Sequence, residues 1–194
     1  KNKYFDSPII SANIKYIKEI RATLKKSKIK NYKIILEPAK MNTAAAILSS
    51  ALIKEIHENQ PIIYLSSDHL IEKLTILNKS LKSNIKNLND NNIFIFGIKP
   101  NSPSSEYGYF ITKKNKKINK VIKFHEKPKK NKAKQIIKRG GYWNSGMFYV
   151  KKSSIINNFR KFQPKTFKAV NEAINKAKFI KNVYYLNKRS FIKA

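Results

Sequence analysis

Residues 61–68 read Pro61-Ile62-Ile63-Tyr64-Leu65-Ser66-Ser67-Asp68, a nearly continuous apolar run that ends in three polar residues. A short run of this kind is typical of a strand buried on both faces of a parallel sheet. Helical periodicity follows directly, over residues 70–81. The strand and the helix together form the repeating unit of an α/β fold, and the polar residues between them mark the carboxyl end of the strand.

The same alternation extends in both directions along the chain. The helix after the second strand begins near Asn42 or Thr43, either of which can act as its N-cap, and Gly140 with Gly141 ends a later helix. Pro164 interrupts the final helical pattern. We predict strands over residues 8–12, 32–37, 61–65, 92–98, 107–112, 118–125 and 142–150, with helices over 14–26, 42–56, 70–81, 129–139 and 153–178.

Alternating strands and helices with short connections predict right-handed crossovers and a mostly parallel sheet. The rhythm changes after Pro100, where two predicted strands are separated only by a lysine-rich turn at residues 113–117. No internal repeat, linker or composition shift divides the chain. We therefore predict one α/β domain over residues 1–194, with a three-layer, Rossmann-like, mostly parallel mixed sheet.

The formal net charge of +31 comes from 42 Lys and Arg against 11 Asp and Glu residues. The basic residues are spread along the chain, and we interpret the clusters at 113–117 and 127–132 as solvated loops. Nucleic-acid binding usually requires charge gathered on one face, so we expect no specific nucleic-acid partner. The charge would still draw anionic substrates towards a cleft.

The absence of cysteine excludes disulfides, thiolate metal sites and cysteine nucleophiles. No apolar run approaches the ~20 residues that cross a bilayer, and no signal segment opens the chain. These observations favour a cytoplasmic protein without a membrane partner, and they leave homo-oligomerisation open. The sequence contains neither a G-x-G-x-x-G fingerprint nor a G-x-x-x-x-G-K-[ST] loop.

Ligands of an open parallel sheet bind outside the carboxyl ends of its strands. Three strands end in a carboxylate, at Glu37, Asp68 and Glu126, and all could converge on one rim. Asp68 is a candidate Mg²⁺ ligand, because Mg²⁺ takes one or two protein carboxylates and fills its other positions with phosphate oxygens and water. The alternative is that Asp68 only caps the helix that follows.

Three further positions are candidates for substrate binding. Glu126 and Lys127 could pair a sugar hydroxyl with a phosphate, or could form an ordinary surface turn. Gly108 indicates either a close approach of the backbone to a ligand or a β-bulge. Asn144 can both donate to and accept from a sugar hydroxyl, although a structural turn is an equal alternative.

Five segments in order resemble the sugar-phosphate nucleotidyltransferases, in particular the mannose-1-phosphate guanylyltransferases. The most specific is Trp143-Asn144-Ser145-Gly146-Met147-Phe148. The other four are Ile35-Leu36-Glu37-Pro38 with Asn42-Thr43-Ala44, Leu65-Ser66-Ser67-Asp68-His69, Phe96-Gly97-Ile98 with Tyr107-Gly108-Tyr109, and Phe124-His125-Glu126-Lys127-Pro128. The resemblance implies the nucleotidyltransferase type of Rossmann-like sheet. It also implies a Mg²⁺-dependent enzyme that forms GDP-mannose and pyrophosphate from GTP and mannose 1-phosphate.

Roles follow from the resemblance position by position. Asp68 would be the metal ligand and, with Lys127, a catalytic residue. Gly108, Glu126 and Asn144 would bind the mannose, and Lys127 would contact its phosphate. The nucleotide-binding residues would be Glu37, Asn42 and Thr43.

The chain departs from the family pattern mainly on the nucleotide side, where Lys40 and Met41 replace the usual Gly and Arg. The resemblance also implies a Gly-rich loop before Lys1 and a second metal-binding aspartate after Ala194. We therefore expect a sheet incomplete at both ends and a fragment that is inactive alone. Alternatives are a nucleotidyltransferase that uses UTP or dTTP with glucose 1-phosphate, a degenerate non-catalytic sugar- or nucleotide-binding module, and a nucleic-acid binder.

Overall fold

The computed structural model describes residues 4–113 and 118–194. Most of the lysine-rich turn predicted at 113–117 lies outside the described residues. The chain divides into two compact units, one formed by residues 1–60 with 151–194 and the other by residues 61–150. The single domain predicted from the sequence stays a prediction, because compactness alone does not define a domain.

The first unit contains a four-stranded sheet in the order β1-β2-β9-β8. Strands β1 and β2 pair in parallel, as do β2 and β9, whereas β8 and β9 form an antiparallel hairpin. The elements are β1 (Ile9–Asn13), α1 (Ile17–Lys26), β2 (Lys33–Glu37), α2 (Thr43–Leu52), α5 (Lys152–Phe162), α6 (Pro164–Asn175), β8 (Lys178–Ile180), β9 (Val183–Tyr185) and α7 (Lys188–Phe191).

One core cluster of the first unit lies where α1 covers this sheet. Its fully buried side chains include Ile34 and Leu36 of β2 and Val183 of β9, with Leu24 of α1 packed on them. Burying each of these aliphatic side chains contributes roughly 1.5–3 kcal/mol.

Asn42 is the N-cap residue of α2, as predicted from the sequence, although its side chain makes no capping hydrogen bond.

The second unit contains a five-stranded sheet in the order β3-β7-β5-β6, with β4 also paired to β7. The pairs β4–β7, β5–β6 and β5–β7 are antiparallel. Of these, β5 and β6 follow each other along the chain with a connection that is too short for a parallel crossover. The elements are β3 (Pro61–Tyr64), α3 (Leu74–Asn84), β4 (Phe94–Ile98), β5 (Tyr109–Lys113), β6 (Lys120–His125), α4 (Lys130–Lys138) and β7 (Tyr142–Lys151).

Two differences from the sequence analysis concern this second unit. The run at 61–65 forms β3, but all four residues of that strand are half-buried and Leu65 is exposed, so the expected burial on both faces is wrong. β3 lies at the end of the strand order, where a strand has fewer neighbours to cover it. The following helix begins at Leu74, later than expected.

The α/β class itself is confirmed, with parallel pairing in the first unit and mainly antiparallel pairing in the second. Within the described residues, no helix combines the length and the apolar character that a bilayer span requires.

Candidate functional site

Three of the predicted site residues meet where β5, β6 and β7 lie side by side. Tyr109 of β5 pairs with His125 of β6 on one side and with Trp143 of β7 on the other. The residues one step beyond this line are Gly108, Glu126 and Asn144. The sheet therefore aligns three residues that are far apart in the sequence.

Contacts confirm that these three residues are neighbours. The backbone N–H of Asn144 donates a hydrogen bond to the carbonyl oxygen of Gly108, at 2.8 Å. A Cβ atom at Gly108 would lie 3.0 Å from Oε2 of Glu126, so the carboxylate lies directly over the glycine. Gly97 of β4 pairs with Asn144 and continues the row across a fourth strand. The ordinary β-bulge considered for Gly108 is not needed to explain a glycine at this position.

The loop before Gly108 is held by Tyr109, whose side chain is completely buried. Its hydroxyl group donates to the carbonyl oxygen of Ser104 and accepts from the N–H of the same residue, both at 2.9 Å. The Ser104 hydroxyl accepts in turn from the N–H of Glu106, at 3.1 Å. These bonds fix the backbone that leads into Gly108, so the glycine is presented by a braced loop.

Asn144 begins an Asx turn that lies within strand β7. Its Oδ1 accepts a hydrogen bond from the N–H of Gly146, at 3.3 Å, and Gly146 has a left-handed φ of 72°. Ser145, which is buried, accepts from the N–H of Met147 through its hydroxyl oxygen at 3.2 Å. The amide nitrogen Nδ2 of Asn144 takes no part in this turn and can donate to a ligand hydroxyl.

Lys127 follows Glu126 in a tight turn at the end of β6. Its φ of 40° lies in the left-handed region, which is uncommon for a residue other than glycine. Such a conformation costs of the order of 1–3 kcal/mol and is found most often at functional sites. The side chains of Glu126 and Lys127 are both exposed.

Asp68 lies in a turn after β3, and 84% of its side chain is exposed. The capping alternative is wrong, because α3 begins at Leu74 and has Lys73 as its N-cap. Nε2 of His69 lies 3.9 Å from Oδ1 of Asp68. None of the contacts that join Gly108, Glu126 and Asn144 includes Asp68, so a rim shared by all four stays a prediction. The sheet does place β3 next to β7, the strand that carries Asn144.

Asp68 offers a single open carboxylate. In residues 4–113 and 118–194, no three His, Cys, Asp or Glu side chains converge as a metal centre would need. A single open carboxylate fits Mg²⁺, because Mg²⁺ takes one or two protein carboxylates and fills its remaining positions with phosphate oxygens and water.

The residues predicted to bind the nucleotide lie in the first unit. Glu37 ends β2 beside Asn13 of β1, and its carboxylate accepts a hydrogen bond from the Ser11 hydroxyl at 2.7 Å. Burial raises the pKa of Glu37, and the Ser11 hydrogen bond opposes this shift. Asn42 and Thr43 start α2 and are both exposed.

Sequence reasoning missed the residues that shape the site without carrying an obvious polar group. Phe124 lies next to the space above Gly108, and Tyr109 braces the preceding loop. Both lie in motif segments that carry the family resemblance, but neither of them was given a role from the sequence. The position of Phe124, two residues before Glu126, was the one available signal, since side chains two apart in a strand share a face.

Known proteins resemble this chain over most of its length. A family model described as Nucleotidyl transferase matches residues 1–189. Mannose-1-phosphate guanylyltransferase of Klebsiella pneumoniae is 32% identical over 151 residues, which are 74% of this chain and 32% of that protein. The chain thus spans about a third of the length of the curated relatives it matches.

Solved structures show the same fold. The crystal structure of mannose-6-phosphate isomerase from Helicobacter pylori superposes with a TM-score of 0.82 at 27% identity, covering 96% of this chain and 73% of that one. The structure of mannose-1-phosphate geranyltransferase from Thermus thermophilus gives 0.76 at 21% identity, covering 95% and 51%. Together with the family match over nearly the whole chain, the grouping of motif residues shows that this chain belongs to the nucleotidyl transferase family.

Proposed function

We propose that the protein containing this chain is a mannose-1-phosphate guanylyltransferase. A phosphate oxygen of mannose 1-phosphate would attack the α-phosphorus of GTP. The bond from that phosphorus to the oxygen bridging to the β-phosphate would break, and pyrophosphate would leave. GDP-mannose is the second product, and no covalent intermediate with the protein is required.

The observation that carries the proposal is the grouping of Gly108, Glu126 and Asn144. The Glu126 carboxylate accepts hydrogen bonds, the Asn144 amide can both donate and accept them, and Gly108 has no side chain that would block access to them. This combination suits a ligand rich in hydroxyl groups. The backbone of the group is fixed by the Asn144–Gly108 hydrogen bond, so the polar atoms are positioned before a ligand binds.

Lys127 and Asp68 would act on the negative charge of the phosphate groups, Lys127 directly and Asp68 through a bound Mg²⁺. Lys127 directly follows Glu126, the residue that would bind the sugar. Its ammonium group would contact the sugar phosphate as a point charge. Asp68 would hold Mg²⁺, which would neutralise charge on the nucleotide phosphates. Glu37, Asn42 and Thr43 would lie near the guanosine. The proposal thus assigns catalysis mainly to positioning and to charge neutralisation.

The test is pyrophosphate release by the full-length protein supplied with GTP, mannose 1-phosphate and Mg²⁺. Glu126→Ala should raise the KM for mannose 1-phosphate by about tenfold or more, because a hydrogen bond from a hydroxyl group to a charged acceptor is worth roughly 1.5–3 kcal/mol. Glu106→Ala is the matched control, since Glu106 is an exposed carboxylate on the loop before Gly108. It should leave that KM unchanged.

Asp68→Ala should abolish turnover, with Glu72→Ala, a second exposed carboxylate of the same segment, as its control. Full activity of Asp68→Ala would refute the metal assignment. Substituting UTP or dTTP for GTP, and glucose 1-phosphate for the sugar, separates this function from the other nucleotidyltransferases. A faster reaction with one of those pairs would replace guanylyl transfer as the assigned activity.

A further inference from the structure

The polar row described above borders a second row that is aromatic. In the register of the sheet, Phe124 of β6 pairs with Phe110 of β5, and Phe110 pairs with Tyr142 of β7. Each of these residues lies two positions from a member of the polar row, on its own strand. Because side chains two apart in a strand point to the same face, both rows lie on one face of the sheet.

The two rows meet at Gly108. A Cβ atom there would lie 3.0 Å from Oε2 of Glu126 and also 3.0 Å from Cζ of the Phe124 ring, with Cε1 at 3.6 Å. The space that the glycine leaves is therefore bordered by a carboxylate on one side and by an aromatic ring on the other. Any group that contacts Glu126 above Gly108 also meets this ring.

The aromatic row is covered unevenly. Phe110 is only 4% exposed, and its ring stacks on Tyr142 with centroids 5.9 Å apart and an angle of 29°. Phe124 is 47% exposed, although it sits beside this packed pair. Phe110 and Tyr142 thus form a rigid support, while Phe124 offers an open apolar surface next to the polar row.

A hexose has the complementary chemistry. Its hydroxyl groups need donors and acceptors, whereas the C–H groups of its ring present an apolar face. An aromatic ring beside a carboxylate can satisfy both parts of the sugar at once, because ligand sites combine mainly apolar walls with a few placed polar groups.

We propose that Phe124 is a substrate-binding residue whose ring packs against the C–H face of the hexose that Glu126 and Asn144 hydrogen-bond. This inference rests on the proposed function, since it concerns the same sugar phosphate. It assigns the apolar half of sugar recognition to Phe124 and leaves the phosphate to Lys127. The nucleotide makes no contact with Phe124 in this arrangement.

The test compares Phe124→Leu with Phe179→Leu in the full-length protein. Phe179 is the matched control, because it is a phenylalanine of another hairpin strand, β8, and is 49% exposed. The readouts are the KM for mannose 1-phosphate, the KM for the nucleotide, kcat, and the Tm of each variant. Phe124→Tyr, which keeps the ring, serves as the conservative variant.

We expect Phe124→Leu to raise the KM for mannose 1-phosphate by about 2–13-fold, which corresponds to the roughly 0.5–1.5 kcal/mol of an aromatic contact. The KM for the nucleotide and the Tm should stay at the values of the unmodified protein, and Phe124→Tyr should restore the sugar KM. Phe179→Leu should change neither KM.

Two results would overturn the inference while the proposed function stands: an unchanged sugar KM in Phe124→Leu while Glu126→Ala raises it, or an equal rise in Phe179→Leu accompanied by a lower Tm. Absence of turnover by the unmodified protein with mannose 1-phosphate would instead overturn the proposed function, and this inference with it.

Discussion

Two glycines show how differently one residue type can be required. At Gly108, an added methyl group would occupy the space between Glu126 and the Phe124 ring. At Gly140, nothing lies within 4 Å of an added Cβ, but the φ of 74° is left-handed, as the end of α4 requires. Under the proposed function, the first glycine serves binding, whereas the second serves the backbone.

Gly108→Ala should therefore raise the KM for mannose 1-phosphate by about tenfold or more, with little change in Tm, because the methyl group would displace the exposed Glu126 carboxylate and Phe124 ring, to which we assign the sugar. Gly140→Ala should do the reverse, lowering the free energy of unfolding by about 1 kcal/mol with an unchanged KM. Steady-state kinetics and denaturant unfolding of both variants check this. The same pattern in both variants would contradict the distinction.

Glu37 gives a pH-dependent prediction. Burial raises the pKa of this carboxyl above its ordinary value of 4.5, so the folded state prefers the protonated form. The contribution of Glu37 to stability is complete below pH 4.5 and is lost as the pH rises through the pKa that this carboxyl group has in the folded protein. Glu37→Gln, which still accepts from the Ser11 hydroxyl, does not ionise.

The free energy of unfolding of Glu37→Gln should therefore gain on that of the unmodified protein as the pH rises from about 4 to about 7. Urea denaturation at several pH values measures the difference. Glu19→Gln, on the exposed surface of α1, is the control and should show no such trend. A difference that is independent of pH would show that ionisation of Glu37 does not affect stability.

At the scale of elements, the end of α2 depends on a side chain from a distant helix. Lys152, the first residue of α5, donates from Nζ to the carbonyl oxygens of Ile53 and Ile56, at 3.0 and 2.8 Å. Ile53 is the C-cap of α2, and Ile56 lies in the loop that follows, so the lysine satisfies one acceptor at the end of the helix and one in the loop after it. Burial lowers the pKa of Lys152, while Glu58 and Glu55 oppose that shift.

Lys152→Met should lower the free energy of unfolding by about 1–3 kcal/mol, because it keeps the apolar stem but leaves two carbonyl oxygens without their donor. Lys161→Met, on the exposed part of the same helix, should change stability by less than about 0.5 kcal/mol. Thermal and urea denaturation of the two variants provide the comparison. Equal stability of both would mean that water replaces the ammonium at no cost.

The hairpin of β8 and β9 shows which elements escape sequence reasoning. Its turn residues, Lys181 and Asn182, have φ values of 46° and 66°, as a two-residue turn of the I′ type requires. Asn favours this conformation and lysine does not. The turn signal in the sequence was therefore too weak to predict the hairpin, and no element is predicted after the helical pattern that ends at residue 178. The three-residue strands β8 and β9 and the short helix α7 were missed.

For the whole molecule, the dominant quantity is the net charge of +31. Self-repulsion at this charge destabilises the compact state, and salt screens it, since the Debye length falls to about 10 Å at 0.1 M ionic strength. The Tm should therefore rise as NaCl increases from about 20 to about 300 mM, by roughly 2–4 °C for each kcal/mol relieved. Scanning calorimetry measures this, and a constant or falling Tm would contradict it.

The sequence by itself determined the α/β class and most of the strands and helices, because apolar periodicity and Gly or Pro punctuation act over a few neighbouring residues. It also indicated Gly108, Glu126 and Asn144 as candidates. It could not determine that they form one row, since that depends on how β5, β6 and β7 pair, and α4 separates the last of these strands from the other two along the chain.

Only the tertiary structure decided what surrounds that row. The half-exposed position of Phe124 beside the packed Phe110–Tyr142 pair follows from the pairing of β5, β6 and β7, which are separate segments of the chain. The hydrogen bonds from Tyr109 to Ser104 and the start of α3 at Leu74, which leaves Asp68 in a turn, were likewise seen only in the structure. Local sequence carries no information on such packing, because an apolar residue in a strand looks the same whether it faces the core or a ligand.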